Sequence, residues 1–169
     1  GYATGSFISY PGMHFRGRLD RGFSAVSDRQ RRVKGVVPIR PGDETLSMAL
    51  EWLREQREEP DASPIFLWLH LFEPHSPYDL TERSARWMAS SGYDGFLADG
   101  ASIDELQKRA DEILADPMHV EAMNELYDGE VEQADRLVGE LLDELDELAM
   151  LDDAVVILTS DHGEGMGEQ

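Results

Sequence analysis

Two apolar runs of strand length, each ending in a polar turn, constrain this chain more than any other feature. Ile65-Phe66-Leu67-Trp68-Leu69-His70-Leu71-Phe72 continues without the alternation of a half-solvated strand. That pattern predicts a strand buried on both faces, as in a parallel sheet. Val155-Val156-Ile157-Leu158-Thr159-Ser160 is apolar and β-branched, and predicts a further strand over 154–159. The first run leads into Glu73-Pro74-His75-Ser76-Pro77-Tyr78, the second into Asp161-His162-Gly163-Glu164-Gly165. Open α/β sheets bind ligands beyond the carboxyl ends of their strands. Both turns are therefore expected on one edge of the sheet.

The segments between these runs read as helices. Pro41-Gly42-Asp43 opens one, with Asp43 as N-cap and Leu46, Ala49, Leu50 and Leu53 at helical spacing. It should end at Glu59-Pro60, because proline disfavours helix in the residue before it. Residues 82–118 predict two short helices, and Ser102-Ile103-Asp104-Glu105 has the form of a capping box. Asp116-Pro117 starts a long helix reaching about Met150, with an apolar stripe of Ala134, Leu137, Val138, Leu141, Leu142, Leu145 and Leu148. Residues 1–42 are rich in Gly and Arg and weakly periodic, with a short strand expected near Phe7 and an irregular loop from Arg16 to Arg32. Strands separated by helices define an α/β sheet with helical crossovers.

Charge narrows the function. With 35 acidic and 15 basic residues the formal net charge is −20. Such a surface repels nucleic acid and anionic membrane, and an anionic substrate would need local help from a metal or arginines. The absence of cysteine removes disulfides and thiolate metal sites, and leaves the compartment open. No apolar run reaches the roughly 18 residues of a membrane span.

Asp161 and His162 offer a carboxylate and an imidazole beside flexible glycines, a combination suited to a divalent ion. The plainer reading is a solvent-facing turn with Asp161 capping a following helix. His75 sits between two prolines that restrict its turn, and an imidazole there can act as general acid. The plainer reading is a surface histidine in a Pro-rich turn. His70 and Tyr78 read as packing residues. Arg16, Arg18 and Arg21 could bind an anion or be solvated loop residues, and Glu164 could support a metal ligand.

The stretch from Phe66 to Tyr78 resembles the strand and turn of the sulfatase family, within the alkaline phosphatase superfamily. Tyr127-Asp128-Gly129-Glu130 with Asp135 resembles that family's long helix, and Leu158-Thr159-Ser160-Asp161-His162-Gly163-Glu164 its metal-binding strand end. Gly1-Tyr2-Ala3-Thr4 and Asp20-Arg21-Gly22-Phe23 fit the same order. The resemblance implies an alkaline-phosphatase-like α/β fold, a mostly parallel sheet with helices on both faces, incomplete in this chain. Residues 1–169 would then be part of a catalytic domain, lacking the N-terminal nucleophile region and a C-terminal part.

The implied activity is hydrolysis of a small-molecule or glycan sulfate ester. Asp161 and His162 match metal-ligand positions, and His75 matches the histidine that meets the sulfate or the leaving oxygen. His14, in Gly12-Met13-His14-Phe15-Arg16-Gly17, matches a substrate-contacting histidine, although the family's neighbouring lysine is missing. The implied ion is calcium, with manganese or magnesium as alternatives. The implied nucleophile is a formylglycine made in a Cys/Ser-x-Pro-x-Arg motif, which this chain does not contain. Many sulfatases carry Asn where His162 stands; the Asp-His form also occurs in phosphodiester and phosphonate ester hydrolases. Those activities, phosphoethanolamine-type transfer, and a non-catalytic sulfatase-like module are the alternatives. The resemblance also implies a periplasmic, extracellular or membrane-tethered setting, and leaves oligomeric state open.

Overall fold

The computed structural model describes residues 1–10, 12–13, 18–27, 39–59 and 63–165. In chain order the elements are β1 (Ala3–Ile8), β2 (Ala25–Val26), α1 (Gly42–Glu58), β3 (Ile65–His70), α2 (Glu82–Ser91), α3 (Ile103–Lys108), α4 (Ala110–Ala115) and α5 (Pro117–Glu147). They form two compact units. One comprises residues 1–72 and 137–155, the other residues 73–136 and 156–169.

The first unit is built on a parallel sheet of order β2-β1-β3. β1 pairs with β3 from Ala3 opposite Ile65 to Ile8 opposite His70. The helix α1 covers this sheet with Ala49, Trp52 and Leu53, which cluster with Phe7. Gly5 lets the Trp52 ring lie directly on β1: a Cβ there would come within 2.7 Å of Cζ3. Leu141, Leu145 and Leu148 of α5 pack against the same cluster, so the predicted apolar stripe does bury itself. On the outside, Arg54 donates from Nε and Nη2 to the Glu144 carboxylate, a bidentate pair between α1 and α5. Polar groups at the end of β1 satisfy one another. Ile8 N–H donates to Ser27 Oγ, and Ser9 Oγ lies 2.9 Å from Thr45 Oγ1.

The second unit packs Tyr78, Met88, Leu97, Ala101, Ile113, Ala122, Met123 and Leu126 into one core. The predicted capping box of Ser102 and Glu105 is present, and a second one joins Thr81 to Ser84 at the start of α2. Gly92, at φ 71°, ends α2 in the left-handed conformation that glycine adopts at low cost.

Several boundaries differ from expectation. The N-cap of α1 is Pro41, not Asp43, which lies in the first turn, where its charge suits the positive end of the helix. Between residues 82 and 118 there are three helices rather than two, because the backbone of Arg109, at φ −113° and ψ 16°, separates α3 from α4. β3 stops at His70, two residues short of its apolar run. It is only half-buried, and Phe66 is 54 % exposed. The largest correction concerns 154–159, which form no strand among the described residues. A β-branched apolar sequence becomes a strand only when a neighbouring edge supplies hydrogen bonds. No described strand pairs with this segment, and Val155 and Ile157 are 89 % and 82 % exposed.

Candidate metal and catalytic site

The turn after β3 belongs to the second unit and is held by its neighbours there. Tyr78 exchanges both backbone hydrogen bonds with Ala101, at 2.9 and 2.8 Å. The residue is buried, and its ring packs edge-on against Tyr127 of α5. Burial, with the Glu164 charge adding to it, pushes the Tyr78 phenol well above its ordinary value. Tyr78 is a packing residue, as expected. One residue further on, Asp79 N–H donates to Glu130 Oε1 at 2.8 Å. Both X–Pro bonds of the turn, Glu73-Pro74 and Ser76-Pro77, are cis.

Within this frame His75 is half-buried, with Nδ1 2.7 Å from the Ser76 carbonyl oxygen. A carbonyl accepts only, so Nδ1 carries the proton and Nε2 is the nitrogen that exchanges protons with a ligand. The imidazole of His162 lies opposite, with ring centroids 6.4 Å apart and planes at 75°. Two imidazoles from distant points of the chain thus share one side of the second unit.

His162 and Asp161 form a compact donor pair. His162 N–H donates to Asp161 Oδ1 at 3.0 Å, and His162 Nδ1 lies 2.9 Å from the Gly163 carbonyl oxygen. That carbonyl fixes the tautomer and presents Nε2 as the donor atom. Asp161 Oδ2 is 3.7 Å from Nε2. Two donors about 2.3–2.6 Å from a common ion, the range for calcium, sit at this spacing when they subtend roughly 90–107°. The pair therefore suits a divalent cation in both chemistry and geometry. The Gly163 carbonyl, then the Asp161 carboxylate, raise the His162 pKa above its ordinary value. Both side chains are exposed, and no helix follows Asp161 among the described residues, so it caps none. Among the described residues no three His, Asp or Glu side chains gather into a cluster that could hold a metal ion.

His14 and Arg16 lie outside the described residues. Arg18 and Arg21 are exposed and belong to the other unit. Sequence reasoning gave no role to Glu130. The residue is 6 % exposed, and burial, together with Asp79 and Glu73, pushes its pKa up to about 7 against the one lowering influence, the Asp79 N–H. The sequence carries no signal that sets it apart, because an acidic residue on an acidic helix reads as part of the solvated face.

A parallel sheet with covering helices and a polar turn following β3 defines an α/β protein of the alkaline-phosphatase-like class, present here in part. The sulfatase family model matches residues 22–169, and the chain belongs to the sulfatase family. No curated protein and no solved structure gives a significant match. No helix among the described residues is long and apolar enough to cross a membrane.

Proposed function

We propose that this chain carries part of the active site of a metal-dependent enzyme that hydrolyses sulfate esters. The observation that supports it is the juxtaposition of His75 with the Asp161–His162 pair inside one unit. Asp161 Oδ2 and His162 Nε2 would hold a divalent ion, calcium foremost. When bound, such an ion polarises the ester and offsets charge that develops on its oxygens. His75 performs the proton step. As an imidazolium it donates from Nε2 to the ester oxygen as the S–O bond breaks, so that the product leaves as an alcohol or phenol. The Ser76 carbonyl keeps the ring aimed while this happens. Other ligands and the nucleophile would come from residues beyond those described, and the nucleophile would be a formylglycine.

A second reading is phosphodiester or phosphonate ester hydrolysis at the same residues. The imidazole at position 162 favours it, because calcium takes oxygen ligands and a nitrogen donor points instead to a transition-metal ion. Metal analysis of the intact protein, with assays on an aryl sulfate and an aryl phosphodiester, tests both. Metal-dependent turnover of the sulfate ester in clear preference is the expected result. Preference for the phosphodiester would replace the first reading by the second, and absence of both activities would leave a non-catalytic module.

A further inference from the structure

Glu130 is the one buried carboxyl in the described part of the second unit, and nothing about its helix requires it to face inward. Apolar residues would fill that place at lower cost, because a buried carboxyl must be neutralised or hydrogen-bonded. Its hydrogen bond goes to the backbone of Asp79, at the end of the turn that carries His75. The same stretch of α5 grips the turn twice more. Tyr127 packs on Tyr78, and Gly129 lies directly against the Thr81 side chain. Tyr78 is in turn pinned by its two backbone bonds to Ala101.

We propose that Glu130 is a positioning residue for His75, acting through the backbone of Asp79 to hold the imidazole opposite His162. The proposal rests on the catalytic role given to His75 above. Its physical basis is geometric: a shift of about 1 Å in a catalytic group can cost on the order of 100-fold in rate. The acceptor is an oxygen that both the neutral and the ionised carboxyl possess, so an amide can replace it. The charged groups facing Glu130 are Asp79 and Glu73, both from the turn and both negative. Burial and these neighbours favour the neutral acid, which keeps a third negative charge away from the His75 turn.

The test is a mutant cycle in the intact protein, assayed with 4-nitrophenyl sulfate, with metal content measured for every variant. Glu130→Ala should lower kcat about tenfold or more and leave KM and bound metal nearly unchanged. Glu130→Gln should recover most of the loss. In the His75→Ala background, Glu130→Ala should have little further effect, because the group it positions is gone. If Glu130→Ala is as costly there as in the wild type, the residue acts on general structure and the proposal is overturned. It is overturned equally if Glu130→Gln is as slow as Glu130→Ala, or if Glu130→Ala keeps full kcat while His75→Ala is slow. Should Glu130→Ala fail to fold, Glu130→Gln alone decides: near-wild-type kcat supports the proposal, and an alanine-like loss of tenfold or more refutes it. Full activity of His75→Ala would instead remove the reading beneath it.

Discussion

His75 and His162 meet edge to face, 6.4 Å between ring centroids, although one follows β3 and the other lies near the end of the described chain. Each ring has Nδ1 within hydrogen-bond distance of a backbone carbonyl oxygen, and His162 Nε2 lies 3.7 Å from Asp161 Oδ2. The roles proposed above, metal binding for Asp161 and His162 and proton transfer for His75, can be separated by measurement.

Substituting His75 by Ala in the intact protein should lower kcat by about 10²–10⁴-fold, the usual size of general acid assistance, and leave bound metal unchanged. An aryl sulfate with a poor leaving group should show the larger loss, because it depends more on protonation. Equal losses for good and poor leaving groups would argue against the acid role.

Glu130 should make stability fall as pH rises. Its folded pKa, about 7, lies above its ordinary value of 4.5, so folding takes up a proton. The stabilising contribution is complete below pH 4.5 and is lost as pH rises through about 7. The shift corresponds to roughly 2 kcal/mol after allowance for solvent screening. Urea unfolding of wild type and Glu130→Gln checks it. The variant should gain on the wild type between about pH 5 and pH 8 by this amount; parallel pH curves would contradict it.

Two glycines of α5 should respond oppositely to alanine. At Gly139 a new Cβ meets nothing within 4 Å, so Gly139→Ala should stabilise by about 0.5–1 kcal/mol through helix propensity. At Gly129 it would run into the Thr81 side chain, which also caps α2. Overpacking costs about 1–3 kcal/mol and outweighs the propensity gain, so Gly129→Ala should destabilise. Thermal unfolding of the two variants decides; shifts of equal sign would show that the contact at Thr81 is not tight.

Much of this architecture was legible because it depends on local chemistry. The long helix announced itself through its Leu137–Leu148 stripe, and the Ser102–Glu105 box and the end of α1 near Pro60 followed from hydrogen-bonding and steric rules that act within a few residues. β3 was legible from composition, but its half-burial was not, because burial depends on what covers the sheet. The same reason explains the run at 154–159, whose β-branched composition favours a strand but which pairs with no described strand. At the site, Asp161, His162 and His75 were visible as residue types in polar turns. Their mutual approach depended on tertiary folding. Glu130 escaped notice because an acidic residue on an acidic helix looks like the solvated face until its burial is seen.

The exposed run gives a direct contrast between sequence and structure. With Ile157 82 % exposed, Ile157→Ser should change the stability of this chain by no more than about 0.5 kcal/mol. A residue in a buried strand would lose several times that. Dye binding to exposed apolar surface should weaken in the variant, because this patch supplies part of that surface. A large loss of stability on urea unfolding would show that the segment is packed as a strand.

The central claim is that Asp161 and His162 bind the metal and His75 does not. Metal content of the purified intact protein, measured for wild type, Asp161→Ala, His162→Ala and His75→Ala, tests it most directly. The account predicts that the first two variants lose both the ion and aryl sulfate turnover, whereas His75→Ala keeps the ion and loses only turnover. Retention of metal by Asp161→Ala and His162→Ala, or its loss in a folded His75→Ala, would contradict it.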